Sequence, residues 1–301
     1  MSSPVPRSHA SGASVSASRT TPRMPLRPSV RCCGVGAGQR ASRSVRPDGM
    51  PIGFELAPAN TPERQAAKEM VEAGDLGTIQ VIQAEYPQDW LTDPIERSGQ
   101  KQAAWRTDPK KSGKAGAMGD IGTHAFNLAE YITGLQVTEL CSDLNIFVEG
   151  RALDDDGSVL LKFTEGAKGV LSASQVAAGE ENNLSIQVYG EEGGLEWHQQ
   201  EPNTLLVKWL EKPTEILRTG TGFVSDIAKH NSRTPGGHPE GYLEAFANIY
   251  RNFTFALSAR INGSDFDKSV MEFPSVEEGI RGMAFIENVV KSNTSTEKWT
   301  P

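Results

Sequence analysis

Between residues 137 and 218 apolar and polar positions alternate in short runs, each closed by Gly, Asp, Asn or Pro. The clearest run is Leu184-Ser185-Ile186-Gln187-Val188-Tyr189. Its period of two buries one face of a strand and leaves the other to solvent or a partner. Runs at 137–148, 157–164, 169–177, 184–190, 194–198, 204–209 and 214–218 predict strands, and the short turns between several of them favour antiparallel pairing. An earlier strand is predicted over 78–86, where Ile79 and Val81 stand opposite Ile82. Helical patterns surround these runs. Thr61 as N-cap, Pro62 at the first helical position and Glu63 beside it open a helix over 61–73, which Gly74 and Gly77 end. A second helix spans 121–133 and is closed by Gly134, and two more cover 239–260 and 276–291. Strands followed by helices predict an α+β fold, a large and mostly antiparallel open sheet with helices on one face. The 33 residues after Tyr86 carry scattered Gly and Pro and read as loop, and long ordered loops often carry function.

Composition separates the chain into two parts. Residues 1–50 are dominated by Ser, Arg, Pro, Gly and Ala, lack any apolar period, and are predicted to be a disordered segment preceding a folded domain at 51–301. An organelle transit peptide, a misread gene start and fused non-native sequence share this composition. Gly34-Val35-Gly36-Ala37-Gly38 superficially matches a dinucleotide fingerprint but has neither a strand before it nor an amphipathic helix after it, so it is rejected. The net charge of −8 hides an asymmetry, since residues 1–50 carry +7 and the remainder −15. An acidic body disfavours nucleic acid as a partner and is read as a source of solubility. The hydrophobic content of 37% suffices for a sizeable core. Cys32, Cys33 and Cys141 offer neither a disulfide framework nor metal-ligand spacing, which fits a reducing, cytoplasmic setting. No apolar stretch approaches the ~20 residues that cross a bilayer, so no membrane partner is expected.

The candidate chemistry centres on Gly119-Asp120-Ile121-Gly122-Thr123-His124. Asp120 and His124, four residues apart, share one face of a helix. In a catalytic reading the Asp orients the ring and the imidazole takes a proton from a substrate hydroxyl. In a structural reading Asp120 is the N-cap of the helix and His124 an interior histidine. Arg106 could meet a substrate or cofactor oxygen as a multidentate donor, or Trp105 could simply pin the loop while Arg106 stays exposed. Tyr86, Gln88, Asp89 and Trp90 combine aromatic faces with planar polar groups, as sugar sites do, although a strand ending in a Pro turn looks the same. His238 precedes a helix and ranks below His124. His198 reads as a polar strand residue.

Three ordered motifs connect these candidates: Tyr86-Pro87-Gln88-Asp89-Trp90-Leu91, Lys101-Gln102-Ala103-Ala104-Trp105-Arg106-Thr107-Asp108-Pro109, and the segment ending at His124. Over residues 61–293, with Gly237-His238-Pro239-Glu240-Gly241-Tyr242 opening a later helix, the chain resembles the Gfo/Idh/MocA family of sugar and polyol oxidoreductases. The resemblance implies an N-terminal Rossmann domain that binds NAD or NADP, and a C-terminal α/β domain whose open sheet shapes the substrate pocket and forms the subunit interface. Residues 51–301 match that C-terminal domain. His124 would then be the general base, Asp120 would orient it or bind a neighbouring hydroxyl, and Asn127 would join the substrate-binding set. The family's catalytic lysine belongs to a Glu-Lys-Pro motif at a Rossmann strand end. Glu211-Lys212-Pro213 repeats the tripeptide in a predicted turn and is rejected as that element. The expectation is the substrate-binding and homo-oligomerising half of a sugar or polyol oxidoreductase, without a Rossmann domain of its own. The alternative is a carbohydrate-binding or oligomerisation module that transfers no hydride.

Overall fold

The strands are β1 (Ile79–Pro87), β2 (Val137–Asn145), β3 (Asp156–Phe163), β4 (Lys168–Ser174), β5 (Ser185–Gly190), β6 (Gly193–His198), β7 (Thr204–Trp209) and β8 (Glu215–Arg218). They form one open sheet in the order β2-β3-β4-β1-β5-β6-β7-β8. The computed structural model describes residues 61–222, 225–267 and 272–301. The expectations for residues 1–50, including Cys32, Cys33 and the rejected glycine run, lie outside the described residues. Every pairing is antiparallel except that of β1 with β4. That parallel pair brings two carboxyl ends side by side, with Pro87 opposite Ser174. Both strands therefore release their chains at the same end of the sheet, which is where the candidate residues gather.

The pleat sorts the side chains as the period of two requires. On β1 Ile82, Ala84 and Tyr86 are buried while Val81, Gln83 and Glu85 face outward. Leu171, Val188, Leu205, Val207 and Trp197 continue the inner face. Helices α1 (Pro62–Glu72), α4 (Thr123–Thr133) and α7 (Val276–Thr294) cover it. Phe126 of α4 stacks on Phe285 of α7 with centroids 4.5 Å apart. Full burial of each such side chain stabilises the fold by about 1.5–3 kcal/mol. On the outer face Val81, Leu160, Val170 and Ile216 remain exposed among Gln83, Gln187 and Glu196.

Two predicted features differ in the structure. The stretch read as loop holds a 3-10 turn (Ile95–Ser98) and two short helices, α2 (Lys101–Arg106) and α3 (Pro109–Ser112). Side-chain caps explain them, since Gln100 accepts the Ala103 N–H and Asp108 accepts the Lys110 N–H. A short helix, α5 (Asp226–Asn231), also escaped the periodicity, being too brief to show one. It is the polar anchor for α6 (Tyr242–Asn262). The Asn231 amide donates to Gln65 at 2.9 Å, and its oxygens accept from Asn248, Asn252 and Arg251. Among the described residues no helix is long and apolar enough to cross a membrane.

Candidate functional site

The helix carrying Asp120 and His124 begins differently from its prediction. A single π turn over Met118–Gly122 precedes α4, and such turns favour functional sites because they re-aim side chains. Asp120 is not its N-cap. The cap comes from Asp154, on the connection between β2 and β3, whose buried carboxylate accepts the N–H groups of Gly116 at 2.6 Å and Met118 at 2.8 Å. Gly122 permits the close approach of this turn to β4, since a Cβ there would collide with Met118 and touch Ala173.

Relieved of capping, Asp120 turns toward the ends of the parallel strands. Its Oδ2 accepts from Arg106 Nε at 2.8 Å and from Gln175 Nε2 at 2.8 Å. The guanidinium of Arg106 lies 4.2 Å from the Trp105 ring centroid and 5.7 Å from that of Trp90. Trp105 itself donates to Gln102. Arg106 is thus half-buried and bonded to Asp120 instead of standing exposed, and Trp105 is half-buried beside it. Gln175, two percent exposed at the end of β4, was invisible to sequence reasoning because no local spacing links it to Asp120.

Asp120 does not hydrogen-bond His124. The imidazole Nδ1 is enclosed without a partner, the residue as a whole is half-buried, and the ring lies 6.1 Å from the Tyr86 ring. Burial drives the His124 pKa down to about 4; Asp120 opposes this and Arg64 adds to it. Arg64 on α1 is fully buried, with all three guanidinium nitrogens unpartnered and its charge set against the rings of Trp197 and Tyr131. Asn127, one turn beyond His124, is also buried and leaves its Oδ1 without a donor.

The remaining candidates divide. Tyr86 accepts from Gln199 at 3.4 Å, Gln199 also donates to the Asn182 carbonyl, and Gln88 donates to Asn182 Oδ1 at 2.6 Å. This network borders a cavity of about 360 Å³ whose walls include Asn182, Gln199, Trp197 and Tyr242. Asp89 turns the other way and accepts the Gly179 N–H at 3.3 Å. His238 is exposed, and its bonds run to Pro235 and Thr234 within its own turn. Lys212 sits between β7 and β8 with its ammonium 4.7 Å from the Trp209 ring, as a turn residue would.

A dinucleotide pyrophosphate needs free N–H groups at a helix N-terminus. In the glycine-rich entry to α4 those of Gly116 and Met118 are already taken by Asp154, an anion of the protein's own. The described residues therefore do not fit an NAD-type cofactor there.

Residues 64–196 match the GFO/IDH/MocA C-terminal domain. With the relatives that follow, this match supports the GFO/IDH/MocA family for the chain. An uncharacterized oxidoreductase, YfiI, of Bacillus subtilis (strain 168) is 31% identical over 235 residues, 77% of this chain and 60% of its own length. The crystal structure of an oxidoreductase from Sinorhizobium meliloti aligns with a TM-score of 0.72 and 40% identity, covering 83% of this chain and 64% of that one. An inositol dehydrogenase homolog from Azotobacter vinelandii, complexed with NADH and myo-inositol, aligns with a TM-score of 0.74 and 28% identity over 83% and 64% of the two chains. The chain thus spans between 60% and 64% of the length of these relatives.

Proposed function

We propose that this chain supplies the substrate-binding half of a GFO/IDH/MocA sugar or polyol oxidoreductase, with the NAD-type cofactor held by residues other than those described. The observation that carries this reading is the Asp120 carboxylate, fixed through Oδ2 by Arg106 and Gln175 one helical turn from a neutral imidazole. A polyol presents adjacent hydroxyls. Asp120 Oδ1 accepts one of them, and His124, whose Nδ1 is enclosed, takes the proton of the other through Nε2. A lowered pKa keeps His124 unprotonated at neutral pH, at the cost of making it a weaker base than an ordinary imidazole.

Calorimetric titration of the chain with myo-inositol, xylose and glucose, alone and after NAD⁺, tests the proposal. Binding of at least one of the three without NAD⁺, weakened about tenfold by Asp120→Asn, is expected. Binding that ignores Asp120→Asn contradicts it. The exposed apolar residues Val81, Leu160, Val170 and Ile216 on the outer sheet face support self-association through that face, for which a sedimentation mass of twice the chain is the expected sign.

A further inference from the structure

Asp154 and Asp155 stand side by side on the connection from β2 to β3, and each holds one side of the Asp120 site. Asp154 takes the N–H groups of Gly116 and Met118 on its carboxylate and that of Ala117 on its carbonyl, which fixes the turn carrying Asp120. Asp155 reaches the site through its main chain. Its carbonyl accepts the Gln175 N–H at 2.8 Å, and the Gln175 carbonyl in turn accepts the Leu91 N–H at 3.0 Å. The Gln175 backbone is clamped on both sides, and its side chain is left to reach Asp120.

The Asp155 carboxylate is buried and accepts from the N–H groups of Phe147 and Val148 and from Arg151 Nη1 at 3.2 Å. The Arg151 side chain, only two percent exposed, also donates through Nε and Nη2 to the two oxygens of Glu96, each at 3.2 Å, and through Nη2 to the Asp93 carbonyl at 3.3 Å. Glu96 lies in the 3-10 turn (Ile95–Ser98) that packs against α2, the helix ending in Arg106. One buried guanidinium thus joins the two places from which Asp120 Oδ2 receives its donors, Arg106 on α2 and Gln175 beyond β4.

We propose that Arg151 and Asp155 are positioning residues for the Asp120 carboxylate, acting through both of its donors at once. The inference rests on the reading of Asp120 as a substrate-binding group and adds what holds it in place. A binding carboxylate must be kept in one rotamer by partners that are themselves fixed, and Arg106 and Gln175 are fixed by this network. Desolvation of three charged groups offsets much of their attraction, so the network acts on geometry more than on stability. Arg suits the position because its planar fork meets both Glu96 oxygens while a third nitrogen meets Asp155.

The test follows two signals in the ¹⁵N-labelled full chain, the Arg106 Nε–H and the Gln175 side-chain amide, with Asp120→Asn marking where each lies when released. Arg151→Met and Asp155→Asn should move both signals toward those positions. Arg151→Lys should do the same, since an ammonium cannot reproduce the fork, and Glu96→Gln should move the Arg106 signal more than that of Gln175. Val207→Ala, a core truncation on β7, should lower the melting temperature and leave both signals in place. Unmoved signals in folded Arg151→Lys and Asp155→Asn overturn the inference, as does equal movement in Val207→Ala, which would report lost stability alone. Should Arg151→Met fail to fold, Arg151→Lys and Glu96→Gln decide. In parallel titrations with myo-inositol, xylose and glucose, Arg151→Lys should weaken whichever the parent binds about fivefold. If the signals move as expected but the parent binds none of the three, the substrate reading falls and the positioning role stands. If a sugar binds equally to parent and Arg151→Lys and the signals stay put, the positioning role falls and the substrate reading stands.

Discussion

Arg106 and Asp120 form an ion pair, Nε to Oδ2 at 2.8 Å, across two helices that the sequence separates by fourteen positions. Gln175 donates to the same oxygen, so the carboxylate is fixed through one atom and presents the other. Both partners of the pair remain about a quarter exposed, and ion pairs of that kind contribute ~0–1 kcal/mol to stability. Their importance is therefore placed in orientation. Arg106→Leu should weaken polyol binding about tenfold, or ~1.4 kcal/mol, while costing less than ~1 kcal/mol of unfolding free energy. Parallel calorimetry and urea denaturation separate the two; equal losses in both would assign Arg106 to the fold instead.

His124 should titrate near pH 4, well below the usual 6.5, because burial disfavours its charged form. Ring-proton NMR across pH 3 to 8 measures this directly. Arg64→Met should raise the midpoint, since a neighbouring cation is removed, and Asp120→Asn should lower it further. The unfolded chain binds a proton at this position below about pH 6.5 while the folded chain does not until about pH 4. This histidine therefore makes stability fall as pH drops through that window. A native midpoint near 6.5 would show the ring to be solvated.

Glu63 on α1 carries the opposite signature. Burial raises its pKa to about 8, against opposing N–H bonds from its own backbone and Thr219, and with Glu240 adding to the rise. The folded state thus holds a proton that the unfolded state releases above about pH 4.5, so stability falls as pH climbs toward 8. Glu63→Gln should stabilise the protein by about 1–3 kcal/mol at pH 8 and by almost nothing at pH 4. Thermal melts at the two pH values check it, and a gain independent of pH would contradict the assignment.

The sheet was legible because its strands obey a period of two: Leu184, Ile186 and Val188 are buried as their alternation requires, although Ser185 between them is buried as well. The long helices were legible through their start and stop residues, such as Pro62 and Gly134, although the fold's polar anchor at Asn231 was not, since α5 spans only six residues. The Asp120 and His124 pair was visible through its spacing, but what each touches was not. The cap on their helix comes from Asp154, 36 residues beyond Met118, and the second donor to Asp120 comes from Gln175, 55 residues away. Contacts of that range leave no local pattern. Asp120 resembled an N-cap because capping residues and catalytic carboxylates are the same residue types, and only the three-dimensional partners separate them.

Asp154 offers a test of how the site is built. Its buried carboxylate satisfies two N–H groups that have no other acceptor at the start of the helix. Asp154→Asn turns one acceptor into a donor facing those groups and should cost about 1–3 kcal/mol of stability. Denaturant titration reads this. An unchanged midpoint would mean that the π turn holds itself without the cap.

The most direct test of the central claim is hydride transfer in a fusion of residues 61–301 behind a family nucleotide-binding domain, comparing the parent with His124→Ala. With NAD⁺ and the polyol that binds best, the substitution should lower turnover about 10²–10⁴-fold, the usual contribution of a general base, with little change in melting temperature. Turnover close to that of the parent, accompanied by a clear drop in melting temperature, would contradict the account and leave His124 as a packing residue.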